Sequence, residues 1–234
     1  MTFNSHIYRW SFPRPSRASR TIPRKSHGHF VGEVVLPGFG TDPAPDQQRV
    51  GFESRIESQA LLCARYRPGV VDVEEQLEPV LVPDGNKPKS HTLDFRAVHA
   101  NGLRVGAAVK PAHRARAEFR AFMFRFARVA IPHLVDRVVI ITEDNIDPVE
   151  LSNARLLHAA AVRPEQENDN ALATAVKRLT GPVTIRELSA MSGLGADGLF
   201  TVARAIWRGT LACDRTQKIE LQTRVHVPED GAAS

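Results

Sequence analysis

Cysteine is scarce in this chain of 234 residues, which holds two, Cys63 and Cys213. They lie far apart within apolar runs, a pattern that reads as two buried thiols in a reducing cytoplasm rather than a disulfide. Neither CxxC nor HExxH occurs, so there is no zinc signature. No apolar run approaches the roughly 20 residues of a membrane span, and no membrane partner is expected. Acid is missing altogether from the first 28 residues, which carry Arg9, Arg14, Arg17, Arg20, Arg24 and Lys25. Against a net charge of +5, those six cations leave the remainder near −1. The basic character therefore belongs to the start of the chain, where it suits a polyanion such as nucleic acid. A solubilising arm has the same composition. So does an organelle transit peptide, although Tyr8, Trp10, Pro13 and Pro15 spoil the amphipathic helix it needs. With Pro13, Pro15 and Pro23 blocking regular structure, residues 1 to 28 are expected to form a basic mobile arm.

What is present centres on Ser90 to Lys110, SHTLDFRAVHANGLRVGAAVK. His91 to Val98 alternates, Asn101-Gly102 supplies a turn, and Leu103 to Val109 returns as an aliphatic strand, which together predict a β-hairpin. In that hairpin Asp94 lies opposite Ala108 to Lys110. Ala108 and Lys110 share a face because strand side chains alternate. A carboxylate and a lysine then meet at one end of a sheet. An ordinary cross-strand ion pair would explain them. Phosphodiester cleavage needs the same pair, a carboxylate for Mg²⁺ and a cation beside the attacking water or the scissile phosphate. A second carboxylate is expected from a helix over Phe52 to Arg65, with Phe52, Ile56, Ala60 and Cys63 as its apolar stripe and Glu53 and Glu57 four apart beside it.

Glu57 in RIESQALL, Asp94 in TLDF and Val109-Lys110-Pro111-Ala112 resemble the TnsA-type endonuclease subunit of heteromeric transposases, a PD-(D/E)xK nuclease. The resemblance continues through Val71-Asp72-Val73-Glu74-Glu75-Gln76 and through Ile140 to Pro148, and covers about residues 30 to 162. It implies a restriction-endonuclease-like fold and cleavage at transposon ends that leaves a 3′-hydroxyl and a 5′-phosphate. Glu57, Asp94 and Lys110 would be catalytic. Mg²⁺, with Mn²⁺ as a substitute, would sit on Glu57, Asp94 and the Val109 backbone carbonyl. The implied partners are double-stranded DNA, a DDE-type transposase subunit and an ATPase regulator, in a prokaryotic cytoplasm. One departure stands out. The signature places an acid or glutamine two residues before the lysine, and this chain has Ala108, which neither ligates a metal nor positions a water. Glu118 on the following helix is a candidate substitute, and a surface ion pair would account for it equally. Gln76 matches a residue near the family's active-site surface and would also serve to bond a strand edge. A catalytically reduced nuclease-fold protein acting in DNA binding or transposase assembly is the alternative reading, and an unrelated nuclease of phage or defence origin a third.

The rest of the chain reads as α/β, a small mixed sheet flanked by helices. A strand is expected within residues 29–39, a loop over 40–48, and strands at Val70 to Val73 and Pro79 to Val82. Ala112 to Ala130 forms a helix with Phe119, Phe122, Met123, Phe126 and Val129 inward and five arginines outward, some of them in reach of DNA phosphates. Arg137 to Thr142 is a strand covered on both faces. Pro148 opens a helix to about Ala161. That gives a nuclease domain over residues 29–162 and a polar linker over 163–170. A small winged helix-turn-helix domain over 171–228 is expected to follow. It comprises helices Ala171 to Thr180, Ile185 to Met191 and Ala196 to Arg208, with a ribbon of Thr210 to Cys213 and Ile219 to Val225. Helix 196–208 would present Asp197, Thr201, Arg204 and Arg208 to DNA, or the domain would dock on a partner protein.

Overall fold

The computed structural model describes residues 12–20, 22, 30–38 and 47–228. Tyr8, Arg9, Trp10, Arg24 and Lys25 lie outside them. Strands β1 (Gly32–Leu36) and β2 (Gln48–Phe52) pair antiparallel. Phe52 thus ends a strand instead of opening a helix. Helix α1 (Arg55–Tyr66) begins three residues later because Ser54 caps it, its hydroxyl accepting the Glu57 N–H at 3.1 Å. Strand β3 (Val70–Glu75) follows, then β4 (Val80–Val82) and β5 (Lys89–His91), paired antiparallel around the Asp84–Pro88 turn.

The predicted hairpin forms, with one correction. Its first arm is not a continuous strand. It leaves the β4–β5 ribbon at His91, crosses at Thr92–Asp94, and resumes as β6 (Phe95–His99) in a different sheet. Gly102, at φ +85°, makes the turn that few other residues tolerate. β7 (Arg104–Val109) returns with Val98 opposite Arg104 and Phe95 opposite Ala107. Helix α2 (Ala117–Ala130) is preceded by a 3-10 turn at Ala112–Arg114, so the helix is shorter than the periodicity implied. β8 (Arg137–Ile141) then adds parallel to β7, giving a four-stranded mixed sheet in the order β3-β6-β7-β8.

Each face of that sheet has its own core. Leu61, Ala60 and Ala64 of α1 cover one face against Val73, Phe95, Ala97 and Ala107. Phe122, Met123, Phe126 and Ala130 of α2 cover the other against Leu93, Ala108 and Val135. β8 contributes Val139 and Ile141 to the first and Val138 and Ile140 to the second, the two-sided cover its β-branched run predicted. Val129, expected inward, is 40% exposed.

The linker expected at 163–170 is not there. α3 (Pro148–Ala161), capped by Asp147, is followed within a few residues by α4 (Gln166–Val176), so most of the polar stretch is a helix's first turns. After it come β9 (Val183–Thr184), α5 (Ile185–Met191) with the predicted Thr184–Glu187 capping box, α6 (Gly198–Trp207), β10 (Ala212–Cys213) and β11 (Arg224–His226). The three short strands form one sheet in the order β10-β11-β9. This unit shares a continuous core with α3 and the back of α1, where Cys63, Tyr66 and Leu157 meet Leu188, Val202 and Ile206. Asn153 of α3 ties it down further, donating to Arg215 O and Gln217 O and accepting from the Ile219 N–H. The Arg215 guanidinium donates to Tyr66 O. Polar composition marked the exposed side of α4, not a flexible joint. Both thiols are free, and among the described residues no helix is long and apolar enough to cross a membrane.

Candidate active site

The crossing between β5 and β6 puts Asp94 at a junction. Its N–H donates to Ala107 O at 2.9 Å, its carbonyl accepts the Gln76 N–H at 2.8 Å, and its Oδ2 accepts the Val109 N–H at 2.6 Å. Asp94 is therefore fixed at the end of β7, opposite the stretch the hairpin register predicted. Lys110 follows, its N–H bonded to Ile141 O and its ammonium 5.4 Å from the Phe119 ring centroid. The two make no ion pair within 4 Å, so a simple cross-strand bridge does not account for them. Val109 meets Asp94 through its N–H.

Glu57 arrives from α1 and is 3% exposed. It is the fourth residue of Ser54-Arg55-Ile56-Glu57, a Ser-x-x-Glu capping pattern that was readable in the sequence. Its Oε2 accepts the Glu53 N–H at 2.9 Å and its Oε1 accepts from Gln76 Nε2 at 3.2 Å. Burial first, and the charge of Asp94 second, push the Glu57 carboxyl up to about 8 against these two donors. Burial also raises Asp94 to about 6, opposed by the Val109 N–H and the charge of Lys110. Two buried carboxyls whose proton affinity is raised, Glu57 in part by the charge of Asp94, form an electrostatically unfavourable site until protons or a cation fill it.

Part of that cation charge comes from a residue the sequence assigned elsewhere. Residues 14–20 do not float as a mobile arm. The chain hydrogen-bonds along β2 through Arg14 and crosses the end of β3. There Ser16 Oγ donates to Glu75, the Ser19 N–H donates to Gln76 O, and Arg17 forks onto both Asp72 oxygens at 2.7 and 2.8 Å. Arg20 ends this contact. Its guanidinium grips both oxygens of Glu53 and donates to Gln76 Oε1 at 3.0 Å, and it acts electrostatically with Asp94 and Glu57. Gln76, 1% exposed and held at φ +44°, bridges Arg20 to Glu57. Arg17 and Arg20 were expected to meet DNA. They are spent on the protein's own carboxylates, because the basic segment finds Glu53, Asp72 and Glu75 clustered at one sheet end.

The remaining candidates fall in different places. Ala108 is 1% exposed, its methyl packed under α2 among Leu93, Phe122 and Met123. Glu118, the candidate replacement acid, is exposed and lines an open groove of about 540 Å³ with Asp84, Lys89, Phe119, Ala121, Phe122 and Arg125, a lining that includes neither Glu57 nor Asp94. Arg204 is 2% exposed and cannot reach DNA. It pairs with Asp169 and donates to Ala160 O and Arg163 O. Thr201 is equally buried, and Arg208 joins the same Asp169 at 2.8 Å. A buried Arg paired across helices leaves no periodic trace that separates it from an exposed one.

Among the described residues no group of three or more His, Cys, Asp and Glu side chains is arranged to hold a metal ion. The donor set nevertheless fits a hard divalent cation. Glu57 and Asp94, two buried carboxyls of raised proton affinity, are hard oxygen donors of the kind Mg²⁺ takes when waters complete its shell. No protein-family model matches the chain, and no curated protein matches it.

Proposed function

We propose that the chain is a metal-dependent DNA endonuclease subunit of the TnsA type, with a restriction-endonuclease-like sheet and a winged helix-turn-helix unit at its C-terminal end. The reading is carried by one observation. Asp94 is pinned to the Val109 N–H at the end of β7, one residue before Lys110, while Glu57 of α1 senses its charge. Further support comes from the order α1-β3-β6-β7-α2-β8 around a mixed sheet, and from α4, β9, α5, α6 and a ribbon.

A bound Mg²⁺ would supply a polarised water and a counter-charge for the phosphate. Asp94 and Glu57 would hold it, and Glu57 would have to give up the proton that burial favours. The Val109 N–H keeps one Asp94 oxygen engaged and fixes the carboxylate's direction. Lys110, steadied over Phe119, presents its ammonium to the developing negative charge. Cutting at both transposon ends, with a DDE-type transposase for the other strands and an ATPase regulator, belongs to the same proposal.

A second reading, a catalytically reduced assembly protein on this scaffold, is favoured by the burial of Ala108 where the signature places an acid or glutamine. Nicking of supercoiled DNA carrying the element's ends, with Mn²⁺ and the partner transposase, separates the two. Nicking lost in Asp94→Ala and Lys110→Ala establishes the enzyme. Cleavage appearing only with Ala108→Gln identifies a decayed site. Silence from every form, with folding checked by circular dichroism, favours assembly.

A further inference from the structure

Several arginines among the described residues are paired with carboxylates. Arg67 holds Glu150, Arg96 holds Glu74, Arg104 holds Asp136 and Arg125 holds Asp84. On the outer side of α2, cations without such partners are gathered in one row. Arg116, Arg120, Phe124 and Arg128 recur every fourth residue, and all four are exposed. Residues four apart lie along one ridge of a helix, about 6 Å of rise between successive members, so the row spans about 18 Å.

None of the three arginines meets a carboxylate among the described residues. Arg116 and Arg120 each use Nε to bond a nearby carbonyl, His113 O and Ala115 O at 3.0 Å, which anchors each guanidinium on the exposed side of the helix. Between them and Arg128 stands Phe124, 69% exposed, an aromatic ring with no core to enter. The single acid of the helix, Glu118, lies on its other flank, in the groove with Asp84 and Lys89. The same helix supports the candidate active site through Phe119, whose ring carries the Lys110 ammonium.

We infer that the Arg116–Arg120–Phe124–Arg128 ridge of α2 is a docking surface for duplex DNA, with the guanidiniums on phosphates and Phe124 against the sugar edge. An acidic protein face would also suit arginines beside an aromatic, but a row of cations with no acid along about 18 Å matches a regularly spaced polyanion better. A nucleic-acid backbone answers both, and about 18 Å spans roughly five base pairs at 3.4 Å each. As the surface that delivers substrate, the ridge rests on the nuclease reading. As a binding surface it is tested without cleavage.

The test is fluorescence anisotropy of the full chain with a labelled 30-base-pair duplex, in EDTA, across a salt series. The Arg116→Ala/Arg120→Ala/Arg128→Ala variant is compared with Lys177→Ala/Arg178→Ala/Arg186→Ala, which removes the same charge from other exposed positions. All six sites are exposed, and circular dichroism checks that both variants are folded. The ridge variant is expected to bind about tenfold or more weakly at low salt, and its log–log salt slope to shrink by about 2 to 3, near 0.9 per lost phosphate contact. Phe124→Ala is expected to lose affinity several-fold with the slope unchanged. Equal losses in the control variant, wild-type affinity in the ridge variant, or no duplex binding by the wild type would each overturn the proposal. Duplex binding that depends on the ridge, in a protein that never nicks, would leave the ridge standing and remove the cleavage reading.

Discussion

Glu57→Gln is predicted to reverse its effect on stability with pH. In the unfolded chain the Glu57 carboxyl ionises near 4.5, and in the folded protein burial and Asp94 hold it protonated to about 8. Its folded pKa is raised, so between those values the unfolded state has released a proton that the native state keeps. Stability therefore falls as pH rises through that window. At 1.36 kcal/mol per pH unit, the loss attributable to Glu57 approaches about 5 kcal/mol above pH 8. Glutamine cannot ionise and escapes the loss. It has one acceptor oxygen for two donors, the Glu53 N–H and Gln76 Nε2, and the mismatch costs about 1 to 3 kcal/mol at every pH. The variant should be the less stable protein at pH 5 and the more stable one by about 2 to 4 kcal/mol at pH 9, with the curves crossing between about pH 5 and 7. Urea unfolding followed by circular dichroism at fixed ionic strength, from pH 5 to 9, reads this directly. Parallel curves would mean that Glu57 ionises as an ordinary carboxylate and that the acid pair is not coupled.

Three further outcomes follow from the packing. His91 touches Phe119, Phe122 and Phe126 edge-on, and burial, then Lys110 and Lys89, lower it to about 4. The unfolded chain then binds the extra proton, so wild-type stability should fall by up to about 3 kcal/mol as pH drops from 6.5 to 4, and the difference between His91→Phe and wild type should isolate that slope. Asp169→Ala strips the buried Arg204 of its partner and should cost about 3 kcal/mol or more in denaturant unfolding, whereas Asp144→Ala at an exposed site should cost almost nothing. Gly198 lets α6 start against α5, where an added Cβ would lie 2.1 Å from Ser189 Oγ and 2.3 Å from its Cβ. Gly198→Ala should lower the urea midpoint by the equivalent of about 2 kcal/mol, and Ser189→Gly in the same chain should restore most of it.

Local chemistry made some features legible and long-range pairing hid others. Asn101-Gly102 announced the hairpin because a tight turn with φ above zero admits few residues. Thr184-x-x-Glu187 announced α5 because a capping box is closed within four residues. Asp94 opposite the end of β7 followed from register alone. What failed depended on charges far apart in sequence. The arm read as mobile because nothing in its composition reveals that Glu53, Asp72 and Glu75 converge on one sheet end. Residues 163–170 read as a linker because Asp169 looks like a solvated acid until Arg204 is brought to it from 35 positions away. The apolar stripe through Phe52 runs past the true start of α1, which the Ser54 cap sets. Gln76, Glu53 and Arg20 were not assigned to the site because their meeting is a product of the fold, although Gln76 had already been singled out.

The central claim is that Glu57 and Asp94 form a cation site for cleavage, and Mn²⁺ binding followed by electron paramagnetic resonance tests it most directly. The account predicts one bound Mn²⁺ per chain, tighter at pH 8 than at pH 6 because Glu57 must lose its proton, abolished by Asp94→Ala and weakened by Glu57→Gln. Binding that is indifferent to pH and to both substitutions, or no binding at all, would contradict it.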